Sequence, residues 1–136
     1  MLIFKILPLI GAFSLAACAH SGTTPSAADL QGAEWVVADI AGAGVVDKSR
    51  VTLNFDAEGR SGGMGSCNTY GAGYQIEGSK ITFEQPFSTM MACEPALMDQ
   101  ERRYFDLLPQ IRTFDIADDG ALILSTEDGR KIIARR

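Results

Sequence analysis

The chain has 136 residues, 46% of them hydrophobic and 8% aromatic, with 17 acids against 12 bases, three cysteines and a single histidine. A chain of that length holds one domain and has no room for two. The formal charge of −5 supplies no clustered basic face, which excludes DNA or RNA as the expected partner.

Residues 1–17 carry a short leading region with Lys5 and an apolar run from Ile6 to Phe13, broken by Pro8 and too short to span a bilayer as a mature helix. They read as an export signal. The segment ends in Leu15-Ala16-Ala17-Cys18, which resembles the lipobox of bacterial lipoproteins. That resemblance implies cleavage before Cys18, acylation of its thiol and amine by palmitate-type chains, and anchoring in a membrane through the lipid. Ala19, in place of Asp, implies sorting to the outer membrane, with the domain facing the periplasm. Each buried methylene contributes about 0.8 kcal/mol and one chain alone holds only marginally, so several chains on one cysteine give a stable anchor.

Residues 18–32 are small and polar, without an apolar period, and read as a flexible tether. His20 lies in it. The domain expected over 33–136 therefore cannot build a Ser-His-Asp or Cys-His pair, nor a Cys/His zinc site from two remaining cysteines. No catalytic set, cofactor or metal site is expected there.

Trp35 to Ile40 supplies the first strand, with Trp35 better read as a core anchor than as a ligand platform. Val51 to Phe55 alternates with a period of two and stops at the turn Asp56-Ala57-Glu58-Gly59. The following run, Gly59 to Tyr74, is too glycine-rich for a plain strand. It lacks both the spacing and the following helix of a phosphate loop, so its glycines are assigned to bulges, bends or close backbone approach. Tyr74 to Ile76 and Lys80 to Phe83 flank a second acidic-glycine turn, as expected of an antiparallel meander.

Cys67 and Cys93 are the pair left once Cys18 is lipidated, and in an exported protein their default is a disulfide, with a reactive or mixed-disulfide role as the alternative. From Pro95 to Leu108 the apolar spacing becomes three and four, Pro95 suits a first helical turn and Pro109 closes the run. This is an amphipathic helix. Glu101 lies four residues from both Leu97 and Phe105, beside the apolar stripe, and needs a partner: nearby backbone or an arginine, or else a ligand or a proton-handling task. Arg102 and Arg103 read as a solvated face. Thr113 to Ile116, Leu122 to Leu124 and Lys131 to Ala134, separated by Asp118-Asp119-Gly120 and Glu127-Asp128-Gly129, complete the strands.

Taken together, Trp35, the glycine-rich turn through Gly65 into Cys67-Asn68, Tyr74, the segment Thr89-Met90-Met91-Ala92-Cys93, Glu101 and a closing Leu-x-Leu with an Asp-Gly hairpin resemble the META domain family, typified by the HslJ-like heat-inducible bacterial lipoproteins. Two departures are one methionine where the family usually has arginine, and Ser66 where it usually has glycine. The resemblance implies an α+β fold, a strongly curved antiparallel sheet or partial barrel of about 7–9 short strands with one amphipathic helix packed on it. It also implies paired cysteines, an envelope role tied to heat stress and antibiotic tolerance, and no established enzymatic activity.

The leading functional expectation is a non-enzymatic outer-membrane lipoprotein that binds an envelope protein partner or supports envelope stress tolerance. The alternative is a carrier of a small apolar ligand or lipid within the curved sheet. An enzyme built on Glu101 and Asp99 is disfavoured, because two residues apart on a helix point to different faces.

Overall fold

The computed structural model describes residues 22–136; the signal segment, Cys18 and His20 lie outside the described residues. Ten strands follow in chain order: β1 Trp35–Ile40, β2 Ala43–Gly44, β3 Thr52–Phe55, β4 Arg60–Met64, β5 Thr69–Glu77, β6 Lys80–Phe83, β7 Phe87–Ser88, β8 Ile111–Ile116, β9 Leu122–Thr126 and β10 Lys131–Arg135. The helices are α1, Ala27–Leu30, and α2, Pro95–Leu107, the latter running into a 3-10 turn at Leu108–Gln110.

Side-chain alternation sends one face of each strand inward. In β6, Ile81 and Phe83 are buried while Lys80 and Thr82 are exposed, and in β9 Leu122 and Leu124 are buried with Ile123 between them only partly covered. All pairings are antiparallel, in the order β1, β3, β4, β5, β6, β8, β9, β10. The partial barrel closes completely, because β10 returns to β1 with Ala134 opposite Val37 and Ile132 opposite Ile40. Closure removes the sheet edges, and an eight-stranded ring is just wide enough to be filled by side chains. One continuous cluster that includes Trp35, Leu53, Phe55, Tyr74, Phe83 and Ile132 fills it. The thinnest seam lies between β6 and β8, joined by the single pair Lys80 and Thr113 and by the Phe114 amide donating to the Ser79 carbonyl at 3.0 Å. Strands β2 and β7 pair outside the ring, on β1 and β5.

Because neighbours run antiparallel, β1, β4 and β9 finish at the end of the barrel where β5, β8 and β10 begin. Helix α2 crosses that end. Its buried residues Gln100, Glu101, Tyr104 and Leu107 follow the helical period. Gln100 fixes the β2–β3 loop, accepting from the Val46 amide at 2.7 Å and donating to Ser49 Oγ at 3.0 Å. Leu108, expected as the last helical residue, instead opens the 3-10 turn with Pro109 in second place.

The opposite end is covered by a segment expected to be tether. Leu30, the one large apolar residue of that polar stretch, is fully buried, and Trp35 Nε1 donates to its carbonyl at 2.9 Å. The Arg136 guanidinium lies 4.0 Å from the centre of the Trp35 ring and donates to the carbonyls of Asp29 and Gln31 at 2.8 and 2.9 Å. The folded unit therefore begins near Ser26 and not at residue 33, because burying Leu30 recovers hydrophobic free energy that a solvated tether would forgo.

The glycine-rich run also differs from expectation: it forms β4 and most of β5. Glycine is needed there for close approach. A Cβ on Gly63 would fall 2.5 Å from Thr52 Oγ1, and one on Gly71 would fall 2.6 Å from the Phe87 ring that lies over it.

Candidate functional site

The residues singled out around the cysteines converge where the β4–β5 turn meets α2. Cys67 and Cys93 are bonded to each other, with Cα atoms 6.0 Å apart, which ties that turn to the residue two before α2. Glu101, only 7% exposed, reaches across into the turn. Its Oε2 accepts from the Cys67 and Asn68 amides at 2.9 and 2.6 Å, and its Oε1 accepts from Asn68 Nδ2 at 2.7 Å. The partner is thus backbone 33 or 34 residues away, together with an amide side chain, and not an arginine.

Asn68, 5% exposed, passes the connection on. Its Oδ1 accepts from Thr89 Oγ1 at 2.9 Å and from the Met91 amide at 2.7 Å. With Nδ2 facing a carboxylate and Oδ1 facing two donors, only one orientation of the amide satisfies all three bonds. Asn68 and Glu101 therefore form a lock. It fixes the segment from Thr89 to Cys93, which otherwise has neither helix nor strand. Ala92, expected as a motif residue, lines the groove beside the lock and makes none of its bonds.

Gly65 is required by the same arrangement, since a Cβ there would stand 2.6 Å from Phe105 Cζ and 2.8 Å from Glu101 Oε2. The departure at Ser66 has a local explanation. Its φ of +98° lies in the region that favours glycine, and the serine hydroxyl compensates by donating to the Leu97 carbonyl of α2 at 2.7 Å.

Two further polar links hold the same end together. Tyr70 donates to the Thr52 carbonyl at 2.8 Å, and its oxygen pairs with the Tyr104 hydroxyl at 2.6 Å. Burial pushes both phenols above their ordinary titration range. Tyr74, by contrast, belongs to the barrel's other end, where it packs edge-on against Phe55 at 5.0 Å and donates to the Asp56 carbonyl. Trp35 is likewise remote from the lock, so the motif residues divide between two ends.

The lock's outer side is apolar and exposed. Phe87, Met90, Met91 and Met98 are 73%, 96%, 60% and 43% exposed. Met90, Met91 and Met98 line an open groove of about 420 Å³ with Thr89, Glu101 and Phe105. Residues 84–94 carry no periodicity, and the adjacent pair Met90-Met91 is the signal in that stretch. Gln100 lies beside Glu101 with nothing in its spacing to mark it.

A side-chain-filled antiparallel barrel, covered at both ends and stapled at a helix-to-turn lock, is the class of protein defined by this geometry. The sequence model of the META domain matches residues 28–136, and the chain belongs to the META domain family. The fold is similar to that of a solved protein from Burkholderia xenovorans, with 21% identity, 96% of this chain and 98% of that one covered, and a TM-score of 0.67. A second solved structure matches at 20% identity, covering 79% of this chain and 92% of its own, with a TM-score of 0.64. No curated protein matches the chain.

Proposed function

We propose that this META domain is a non-enzymatic, lipid-anchored envelope protein that acts by docking a protein partner on the ridge formed by Phe87, Met90, Met91 and Met98. The observation that carries the reading is that these large apolar side chains are exposed and adjacent: Met90, Met91 and Met98 line one groove, and Phe87 lines its neighbour, which shares Ser88 and Thr89 with it. The lock supports it. By holding Thr89 and Met91 through Asn68 and Glu101, it removes most of the ordering cost that a free loop would incur on binding. Methionine suits such a surface because its unbranched side chain adapts to the partner.

The polarity of the molecule fits an anchor on Cys18. The chain enters the fold through α1 at one end of the barrel, and the ridge lies toward the other, so an acylated Cys18 would present the ridge away from its own bilayer. A ligand carried inside the barrel gains no support, because Trp35, Leu53 and Ile132 occupy that space. Glu101 spends its oxygens on three donors within the fold, which favours a structural over a chemical role.

Two experiments test the reading. Metabolic labelling with an alkynyl fatty acid should mark the wild-type chain and not Cys18→Ser, and equal labelling would remove the anchor. In a deletion strain under heat or antibiotic stress, a double Met90→Asp, Met91→Asp variant with wild-type melting temperature should fail to restore tolerance; full restoration would refute docking at the ridge.

A further inference from the structure

We infer that Met90, Met91 and Met98 form a thioether site for a soft monovalent cation, copper(I) or its analogue silver(I). All three line the same open groove. Two are held in place: the Met91 backbone is fixed by its amide bond to Asn68 Oδ1, and Met98 is carried on α2. The third, Met90, is 96% exposed and free to choose the rotamer that closes the site. Beyond its adaptable apolar side chain, methionine adds sulfur.

The donor set selects the ion. Thioethers are neutral and soft, a combination that suits copper(I), whereas calcium and magnesium select sets of six or more oxygens and zinc selects imidazole or thiolate. The described residues bring no histidine, and both of their cysteines are spent on the disulfide. Charge around the groove permits a cation. Asp106 and Glu101 contribute carboxylates to its lining, and the Arg102 guanidinium is paired with Asp99. This site uses the proposed docking ridge but does not depend on a protein partner occupying it.

Silver(I) is the probe of choice, because it requires no reductant and leaves the Cys67–Cys93 bond intact. It would be titrated into the full-length chain carrying Cys18→Ser, so that no free thiol competes, with carbon-13 at the methionine methyl groups. The expected result is joint movement of the Met90, Met91 and Met98 methyl resonances, saturating at one equivalent while Met64 stays in place, followed by displacement of silver by copper(I) under anaerobic conditions. A triple Met90→Leu, Met91→Leu, Met98→Leu variant should keep the melting temperature and lose saturable binding. Absence of saturation in the wild type, or unchanged binding in the triple variant, overturns the site. Leucine preserves the apolar ridge, so the triple variant should still dock its partner, and failure of the metal site is thereby separable from failure of docking.

Discussion

Replacing Glu101 with glutamine changes one oxygen to a nitrogen and keeps the shape, so it isolates the hydrogen-bond logic of the lock. The remaining oxygen can still accept from the Cys67 and Asn68 amides, now without charge assistance. Each such bond weakens by roughly 1 kcal/mol, the difference between charged and neutral hydrogen bonds. The new NH2 group then faces Asn68 Nδ2, donor against donor. Asn68 cannot turn over to accept, because its Oδ1 already serves Thr89 and Met91. That mismatch costs about 1–3 kcal/mol. Relief from burying a carboxylate offsets part of the sum, leaving a destabilisation of about 2–4 kcal/mol. Urea unfolding followed by circular dichroism should show a lower midpoint at unchanged slope, and the melting temperature should fall by roughly 10–20 °C for a domain of this size. A Glu101→Gln variant within about 0.5 kcal/mol of wild type would refute the lock, since that is the range of an ordinary surface substitution.

Removing the disulfide by Cys67→Ser with Cys93→Ser should cost about 3–4 kcal/mol in the chain-entropy account of a loop of 26 residues, read from the same urea curves. Ser66→Gly should be close to neutral, because relief of the left-handed backbone offsets the lost bond to Leu97. Ser66→Ala should destabilise by about 1 kcal/mol, because it keeps the strain and loses the bond. Gly65→Ala should cost about 1–3 kcal/mol through its collision with Phe105 and Glu101, measured as a fall in melting temperature. Stability should fall at both pH extremes. The Arg60 backbone amide holds the Asp56 carboxyl below its ordinary value, as bonds from Arg135 do for Asp119 and from Thr126 for Asp128, so their contributions are present above about pH 4 and are lost as acid protonates them. The buried phenols of Tyr70 and Tyr104 are held above the usual tyrosine value, so their contribution is complete below about pH 10 and is lost as the pH rises beyond it. Tyr104→Phe should flatten the alkaline limb of a plot of unfolding midpoint against pH.

The strands were legible because the period-two rule needs only neighbours. Thr52–Phe55 and Lys80–Phe83 lie where their alternation and acidic-glycine turns put them. Helix α2 was legible from the change of period and from Pro95. The need for a partner to Glu101 was also visible, but its identity was not, because the Cys67 and Asn68 amides approach it only through the fold. Barrel closure was hidden for the same reason: pairing of β10 with β1 is a property of sheet curvature, which no local window carries. Leu30 shows the opposite failure. One apolar residue in a polar run gives no period, yet with the Trp35 indole and the Arg136 guanidinium beside it, it suffices to bring α1 into the domain.

The central claim is that the lock exists to present an apolar ridge to a protein partner, and site-specific photo-crosslinking in living cells tests it most directly. A benzophenone side chain would be placed at Met90 on the ridge and, as a control, at Glu58 in the exposed turn between β3 and β4, at the other end of the barrel. The expected result is one reproducible protein adduct from position 90, none from position 58, and loss of that adduct in a Phe87→Asp background. Absence of an adduct at position 90, or the same adducts from both positions, would contradict the account.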